Sequence, residues 1–240
     1  MDLTVGVVVV AVLATVVGAS IQGALGFGMN LVTVPALALV LPEALPVTVI
    51  VLGIPVSIGM LRHEHHALDR VGVGWIMIGR VPGTILGALV VATVSTAVLQ
   101  GLVGIVVLLL VVASAVAPPL PVRRDTQVVA GAVSGITGTA AGIGGPPLAL
   151  LYQHRSGATM RSTLAASFLF GTVLSLVTLA LARQVGADQL LLGAGLAPLV
   201  VAGTVAGRRL HDWLDRGWLR PGVLLFAAAA AVTVLVDAAT

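Results

Sequence analysis

The sequence has 240 residues but no cysteine and no lysine, and it is poor in charged and aromatic side chains. The absence of cysteine excludes a disulfide framework and thiol chemistry. Aromatic residues, at 3% of the chain, are too few for a surface that stacks nucleic-acid bases. Charged residues reach only 9%, whereas a soluble domain carries about 25%. With 58% hydrophobic residues, the chain is predicted to be an integral membrane protein that crosses the bilayer several times.

The apolar segment at residues 131–151, GAVSGITGTAAGIGGPPLALL, cannot form one continuous helix. Glycine destabilises a helix interior, and Pro146-Pro147 removes two backbone donors and moves the preceding residue out of the helical region. Because proline is tolerated in the first turn of a helix, the segment predicts a helix, a break and a second helix that begins at the prolines. Irregular backbone at membrane depth occurs only where it is buried in protein or lines a cavity.

A similar interruption occurs at residues 18–39, GASIQGALGFGMNLVTVPALAL, where Gly26-Phe27-Gly28 corresponds to Gly142-Ile143-Gly144. Glycine-interrupted apolar segments at corresponding places in two halves indicate the binding site of a transporter. Helix N-termini attract anions, so we expect N–H groups at the two breaks to hold one. Close helix packing is the alternative use of these glycines. The candidate substrate-binding residues at the breaks are Gly26, Gly28, Met29, Asn30, Gly142, Gly144, Gly145 and Pro146. Further candidate donors are Gln22, Ser134, Thr137 and Thr139.

Each half continues with three apolar runs long enough to span a bilayer. The predicted architecture is an all-α integral membrane protein of two inverted repeats, each a glycine-broken helical hairpin followed by three transmembrane helices. We expect an N-terminal repeat at residues 1–117, a cytoplasmic linker at 118–126 and a C-terminal repeat at 127–240, which together form one transmembrane domain. The motif GTILG at residues 83–87 recurs as GTVAG at residues 203–207.

The distribution of arginine decides the predicted topology. If each broken hairpin returns to the side from which it came, ten of the twelve arginines fall on one face. If each hairpin crosses once, this bias disappears, so the positive-inside rule favours the first arrangement. It places the arginine-rich face in the cytoplasm, in the inner membrane of a bacterial cell, with both termini outside. A hairpin of short re-entrant helices and a hairpin of two fully spanning helices both return the chain to the side from which it came. Both remain alternatives for the hairpins.

Arg80 is the one cation predicted within a span, where arginine costs about 2.5–3.5 kcal/mol on insertion scales. We therefore include it among the candidate substrate-binding residues. The alternative is that its side chain extends to the arginine-rich face. A second cluster, His63, Glu64, His65 and His66, resembles a metal site or pH sensor, but its position in a predicted polar loop favours an ordinary solvated loop.

Three stretches resemble the TauE/SafE family of membrane permeases: the two broken segments and GTVAGRRLHDWL at residues 203–214. The resemblance covers nearly the whole chain, and AGIGGPP at residues 141–147 is its most specific element. In the first break, Met29-Asn30 stands where a further glycine is common in the family. The resemblance implies a transporter that exports sulfite or an organosulfonate.

The residues themselves imply only a cavity suited to anions. A permease or channel for a carboxylate, thiosulfate or sulfate, an importer, and a subunit that does not transport therefore stay open. No nucleophile–base pair or cluster of metal ligands occurs at predicted membrane depth, so we expect no enzyme, metal or cofactor. The expected partners are a small anion and the lipid bilayer, without nucleic acid.

Energy coupling is predicted from the acidic residues. None of the nine falls near mid-membrane, whereas proton-driven carriers usually place an ionisable group in the pathway. We therefore expect the anion to follow its own electrochemical gradient. Glu43, at the edge of the first hairpin, is the one candidate for proton coupling.

Overall fold

The computed structural model describes residues 4–116, 120–209 and 219–239, and all regular structure in these ranges is helical. Single 3₁₀ turns at Pro42–Ala44 and His65–Ala67 lead into the third and fourth α-helices. The α-helices are α1 Val5–Leu25, α2 Met29–Val40, α3 Val47–Glu64, α4 Arg70–Thr93, α5 Thr96–Val116, α6 Arg124–Ala140, α7 Gly145–Tyr152, α8 Gly157–Leu181, α9 Ala187–Arg209 and α10 Leu219–Ala239.

Both predicted interruptions separate two helices. The first break lies between α1 and α2, and the second lies between α6 and α7. Pro146 and Pro147 occupy the first turn of α7, as the sequence predicts, because helical N–H groups have no partner in that turn. The second arm of each hairpin is short, with 12 residues in α2 and 8 in α7.

Six helices in the described part of the chain are long and apolar enough to cross a membrane: α1, α3, α4, α5, α8 and α9. Five of them are spans that the sequence predicts, and the protein is a multi-pass membrane protein. The sixth is α1, the first arm of the first broken hairpin, which has 21 residues. α10 is the remaining predicted span. Its apolar part within the described residues, Pro221–Val236, is shorter than the other six.

Two helices extend into segments that the sequence predicts as polar connections. α3 continues through Arg62 to Glu64, and α6 begins at Arg124, inside the predicted linker at residues 118–126. The Oγ1 of Thr126 accepts a hydrogen bond from the N–H of Arg123 at 3.0 Å, which caps α6 beyond the apolar run. Apolar runs mark the membrane-embedded part of a helix, and a cap sets its end. The sequence also predicts a polar loop at residues 208–217, and most of it lies outside the described residues.

The most extensive helix pairs join the two halves of the chain. α4 packs along α6, and α9 packs along α1. α3 packs on α8, and α5 packs on α10. If α1 to α5 correspond in order to α6 to α10, the pair of α4 with α6 corresponds to the pair of α9 with α1. The α3–α8 pair and the α5–α10 pair each correspond to themselves. The two halves therefore use corresponding helices for corresponding contacts.

Glycines let two of these pairs approach until their backbones touch. A Cβ at Gly83 of α4 would overlap the carbonyl of Ala132 on α6. A Cβ at Gly203 of α9 would lie 2.8 Å from the carbonyl oxygen of Val16 on α1. Gly83 and Gly203 open the repeated GTILG and GTVAG motifs, so the motif has the same packing role in both halves.

Candidate functional site

Two glycines in the left-handed backbone region form the first break. Gly26 has a φ of 89° and Gly28 a φ of 111°, which residues with a Cβ rarely adopt. The N–H of Met29, at the start of α2, donates to the Oε1 of Gln22 on α1 at 3.1 Å. Gln22 therefore satisfies one of the donors that a helix N-terminus leaves without a backbone partner.

The second break is attached to the helix that precedes it. Gly142 has a φ of 74°, and the N–H of Ile143 donates to the carbonyl of Thr137 at 3.1 Å. The Oγ of Ser134, on α6, donates to the carbonyl of Gly144 at 2.6 Å. Side-chain and backbone bonds from α6 thus fix the position of the turn that leads into α7.

The two breaks meet, although they are more than a hundred residues apart in the chain. The Nδ2 of Asn30, in the first turn of α2, donates to the carbonyl of Gly142 at 2.5 Å. A Cβ built on Gly145 would lie in ordinary contact, 3.6 Å from the Cβ of Phe27. The structure therefore brings the two glycine-rich turns together, as their correspondence predicts.

Arg80 of α4 lies beside these turns and does not reach the surface. Its side chain is 4% exposed, so the alternative of extension to the arginine-rich face is wrong. Its Nη1 donates to the Oγ of Ser134 at 2.8 Å, and Gly138 and Gly171 leave room for the guanidinium on α6 and α8. Its Nε has no hydrogen-bond partner among the described residues, so a buried cation remains incompletely satisfied.

A central cavity lies between the breaks and Arg80. Its volume is about 60 Å³, whereas one water needs roughly 10–15 Å³. The cavity therefore suits a ligand of a few non-hydrogen atoms. Its walls come from α1 to α4 and from α6 to α8: Gln22, Gly28, Met29, Asn30, Leu31, Val49, Ile50, Gly53, Ser57, Arg80, Gly138, Gly142, Ile143, Gly144, Gly145, Pro146, Phe168, Thr172 and Ser175.

Every substrate-binding candidate from the sequence lines this central cavity except Gly26. A Cβ at Gly26 would lie 2.5 Å from the Cγ of Arg161, so this glycine makes room for a side chain of α8. Among the candidate donors, Gln22 lines the cavity, and Thr139 shares a hydrogen bond with the lining residue Ser175 at 2.7 Å. Thr137 instead donates to the carbonyl of Val133 in its own helix at 2.9 Å.

The supply of backbone donors is smaller than a helix N-terminus usually offers. Pro146 and Pro147 have no N–H, and the N–H of Met29 is already bound to Gln22. These three positions therefore offer the cavity no free N–H group, and the guanidinium of Arg80 is the one charged donor among its described lining residues. The binding of an anion by backbone N–H groups at the breaks stays a prediction.

Sequence reasoning missed the walls that α3 and α8 contribute. Ser57 lines the cavity from α3, and its buried Oγ has no partner among the described residues. Thr172 and Phe168 line it from α8. These helices carry no break or charge at this depth that would mark them, and small hydroxyl side chains are common in membrane helices for packing alone.

A second cavity, which we call the basic vestibule, lies beyond the first break. Its volume is about 460 Å³, and it is lined by Gly23, Ala24, Met60, His63, Glu64, Arg161, Val205, Arg208 and Arg209. Arg161 and Glu64 form an ion pair there, with Nη2 and Oε1 2.6 Å apart. On α3, Ser57 of the central cavity and Met60 of the vestibule are about one helical turn apart. The two cavities therefore follow one another along α3.

The histidine cluster belongs to this end of the molecule. The Nδ1 of His63 lies 2.8 Å from the carbonyl oxygen of Gly59 in its own helix, and His65 and His66 are exposed. The described residues contain no group of three or more histidine, aspartate or glutamate side chains with the spacing of a metal site.

Comparison with known proteins agrees with these features. The family model described as sulfite exporter TauE/SafE matches residues 10–234, which include both breaks, Arg80 and all the lining residues of the central cavity. No curated protein and no solved structure matches the chain at a significant level. Because the match extends over nearly all of its length, the chain belongs to the TauE/SafE family of membrane transporters of the sulfite exporter type.

Proposed function

We propose that the protein carries a small sulfur-containing anion, sulfite or an organosulfonate, out of the cell through the central cavity by alternating access. The observation that carries this proposal is the guanidinium of Arg80, buried within a candidate span and bound to one neutral hydroxyl. A cation at such a position is costly unless an anion compensates it. The cavity beside it has room for an anion of a few non-hydrogen atoms.

The proposal includes inverted repeats with hairpins that start from opposite ends of the molecule. At the end of the first hairpin, the carbonyl of Glu43 accepts a hydrogen bond from Gln189 at 2.7 Å. The second hairpin starts and ends near the α3–α4 connection, because Gln127 donates to Tyr152 and Tyr152 donates to Asp69, both at 2.9 Å. α3 separates these two regions by its 18 residues, about 27 Å at 1.5 Å per residue.

The arginine-rich end is proposed to face the cytoplasm. Arg161, Arg208 and Arg209 surround the basic vestibule at one end, whereas Arg183 lies near Glu43 at the other. Cytoplasmic loops of membrane proteins carry an excess of arginine and lysine, which supports this orientation. In this orientation both termini are proposed to lie outside. The vestibule then receives anions from the cytoplasm.

Outward movement follows from the membrane potential. An anion leaving a cell that is negative inside gains about 2.3 kcal/mol per charge per 100 mV. No acidic side chain lines the central cavity among the described residues, so the proposal needs no proton coupling. Family membership supports sulfite or a related sulfur anion as the cargo.

The test is flux through the purified protein in liposomes, with sulfite, sulfoacetate, thiosulfate, sulfate and short carboxylates as substrates. We expect saturable flux, and Arg80→Gln should lower kcat/KM by at least about tenfold, because a hydrogen bond to a charged group contributes about 1.5–3 kcal/mol. The matched control is Arg70→Gln, the same change at an exposed arginine of the same helix. Equal flux in both variants would contradict the proposal, and a rate that does not saturate would favour a channel.

A further inference from the structure

We infer, on the basis of the proposed function, that the central cavity takes one singly charged anion at a time. We infer further that the protein exchanges such anions across the membrane faster than it moves them in one direction. The inference rests on the charge inside the cavity and on the degree to which that charge is enclosed.

The charge balance of the cavity sets the valence of its occupant. Arg80 is the one charged residue among those that line it in the described structure. The groups that face its guanidinium are neutral: Ser134 and Gly138 from α6 and Gly171 from α8. One monovalent anion therefore neutralises the site, whereas a divalent anion leaves a net negative charge without a partner.

The second half of the chain adds no further cation. Val200 stands 120 residues after Arg80, the same shift that relates Gly83 to Gly203, and it is fully buried. The position that corresponds to Arg80 in the second half therefore carries an apolar side chain, which is not among the lining residues of the central cavity and supplies no second guanidinium for a divalent anion. The two halves share their packing but differ in charge at this position.

The charge of the central cavity also determines how the protein behaves without an anion. Without an anion, Arg80 retains its charge, one hydrogen bond to Ser134 and an Nε without a partner in the described residues. Alternating access requires the cavity to close to both sides during each transition, and a closed cavity offers a bare cation few water molecules. The empty transition is therefore slower than the loaded, neutral one. An anion waiting on the far side removes that slow step.

Methanesulfonate and sulfate make a matched pair of probes, because both are tetrahedral and close in size but carry one and two charges. We would measure the initial uptake of labelled methanesulfonate into proteoliposomes at zero membrane potential. The medium would contain gluconate instead of chloride, so that no small anion replaces the probe. We expect preloading with unlabelled methanesulfonate to raise the rate severalfold, and sulfate to enter at least about tenfold more slowly, since it leaves an unpaired charge.

The outcomes separate the inference from the proposed function. Saturable, Arg80-dependent uptake with no effect of preloading, or with equal rates for both probes, would overturn the inference and leave the proposed function intact. Absence of saturable flux for every anion would overturn both. Arg80→Lys keeps the charge and should keep the effect of preloading, whereas Arg70→Gln should match the wild-type protein. Two ratios measured on the wild-type protein decide the question even if Arg80 variants fold poorly. They are the uptake rate with preloading over that without, and the rate for methanesulfonate over that for sulfate.

Discussion

At the scale of single residues, the position of Arg80 depends on the absence of side chains around it. Gly138 and Gly171 face the guanidinium from two helices, and a Cβ on Gly171 would overlap its atoms. Ser134 then connects the arginine to the second break, because its Oγ accepts from Arg80 and donates to the carbonyl of Gly144. One buried cation and the turn that leads into α7 are therefore held by the same hydroxyl.

Gly171→Ala tests this arrangement by adding one methyl group beside the guanidinium. The methyl group displaces the guanidinium, which is the mobile end of a long side chain, so the fold should persist. We expect kcat/KM for anion flux to fall by about 100-fold, the loss that follows from moving a binding group by about 1 Å.

The control for that change is Gly195→Ala on α9, where a Cβ meets nothing within 4 Å. It should leave flux unchanged. Thermal unfolding in detergent would verify that both variants are folded. Equal flux in the two alanine variants would show that the position of the guanidinium does not limit transport.

At the scale of helices, contacts between glycine and backbone stabilise the pairs that join the two halves. Gly83→Ala must separate α4 from α6, and Gly203→Ala must separate α9 from α1. We expect each to destabilise the protein by about 1–3 kcal/mol, as overpacking does in other tightly packed sites. The measurement is the unfolding temperature in detergent.

Gly74→Ala serves as the control for both helix-pair variants, since a Cβ there has no neighbour within 4 Å. Replacement of glycine by alanine at an open helical site should stabilise the helix slightly, by about 0.5–1 kcal/mol. A similar loss of stability in all three variants would contradict the role of close packing, because alanine at Gly74 meets no neighbour and has the higher helix propensity.

The helices and their breaks were predictable from local signals. Gly142 and Pro146 exclude a continuous helix whatever surrounds them, because they act on the backbone of their own segment. The ends of α3 and α6 were less predictable, because polar residues such as Arg62 and Arg124 extend helices past the apolar runs. At the start of α6, the hydrogen bond between Arg123 and Thr126, rather than hydropathy, marks the boundary of the helix.

The candidate site was predictable where a residue is unusual for its depth, and not elsewhere. Asn30 and Arg80 are polar residues in apolar segments, and both line the central cavity. Ser57 and Thr172 reach the same cavity from α3 and α8, but their side chains are ordinary in membrane helices. Only the packing of distant segments reveals that these two hydroxyls line the same cavity.

At the scale of the whole molecule, the proposed orientation is open to a direct measurement. The chain contains no cysteine, so single cysteines can be introduced without further changes. His66 is exposed next to α4, and Ala187 is exposed at the start of α9. If the arginine-rich end faces the cytoplasm, a membrane-impermeant maleimide added to intact cells should label Ala187→Cys and leave His66→Cys unmodified.

Permeabilised cells provide the control, since both cysteines should then react. Labelling of His66→Cys alone in intact cells would reverse the proposed orientation. Labelling of both would contradict the placement of the two loops on opposite sides of the membrane, and with it the inverted repeats.

The pairing of α1 with α9 also bears on how the chain is made. Gly23 packs on the backbone of Thr204, which leaves the ribosome roughly 10–40 s later at typical rates of synthesis. During that interval the first helix waits in the bilayer with its glycine face uncovered. Because the most extensive helix pairs join the two halves, two separately translated fragments should find each other in the membrane, whereas either fragment alone should be degraded.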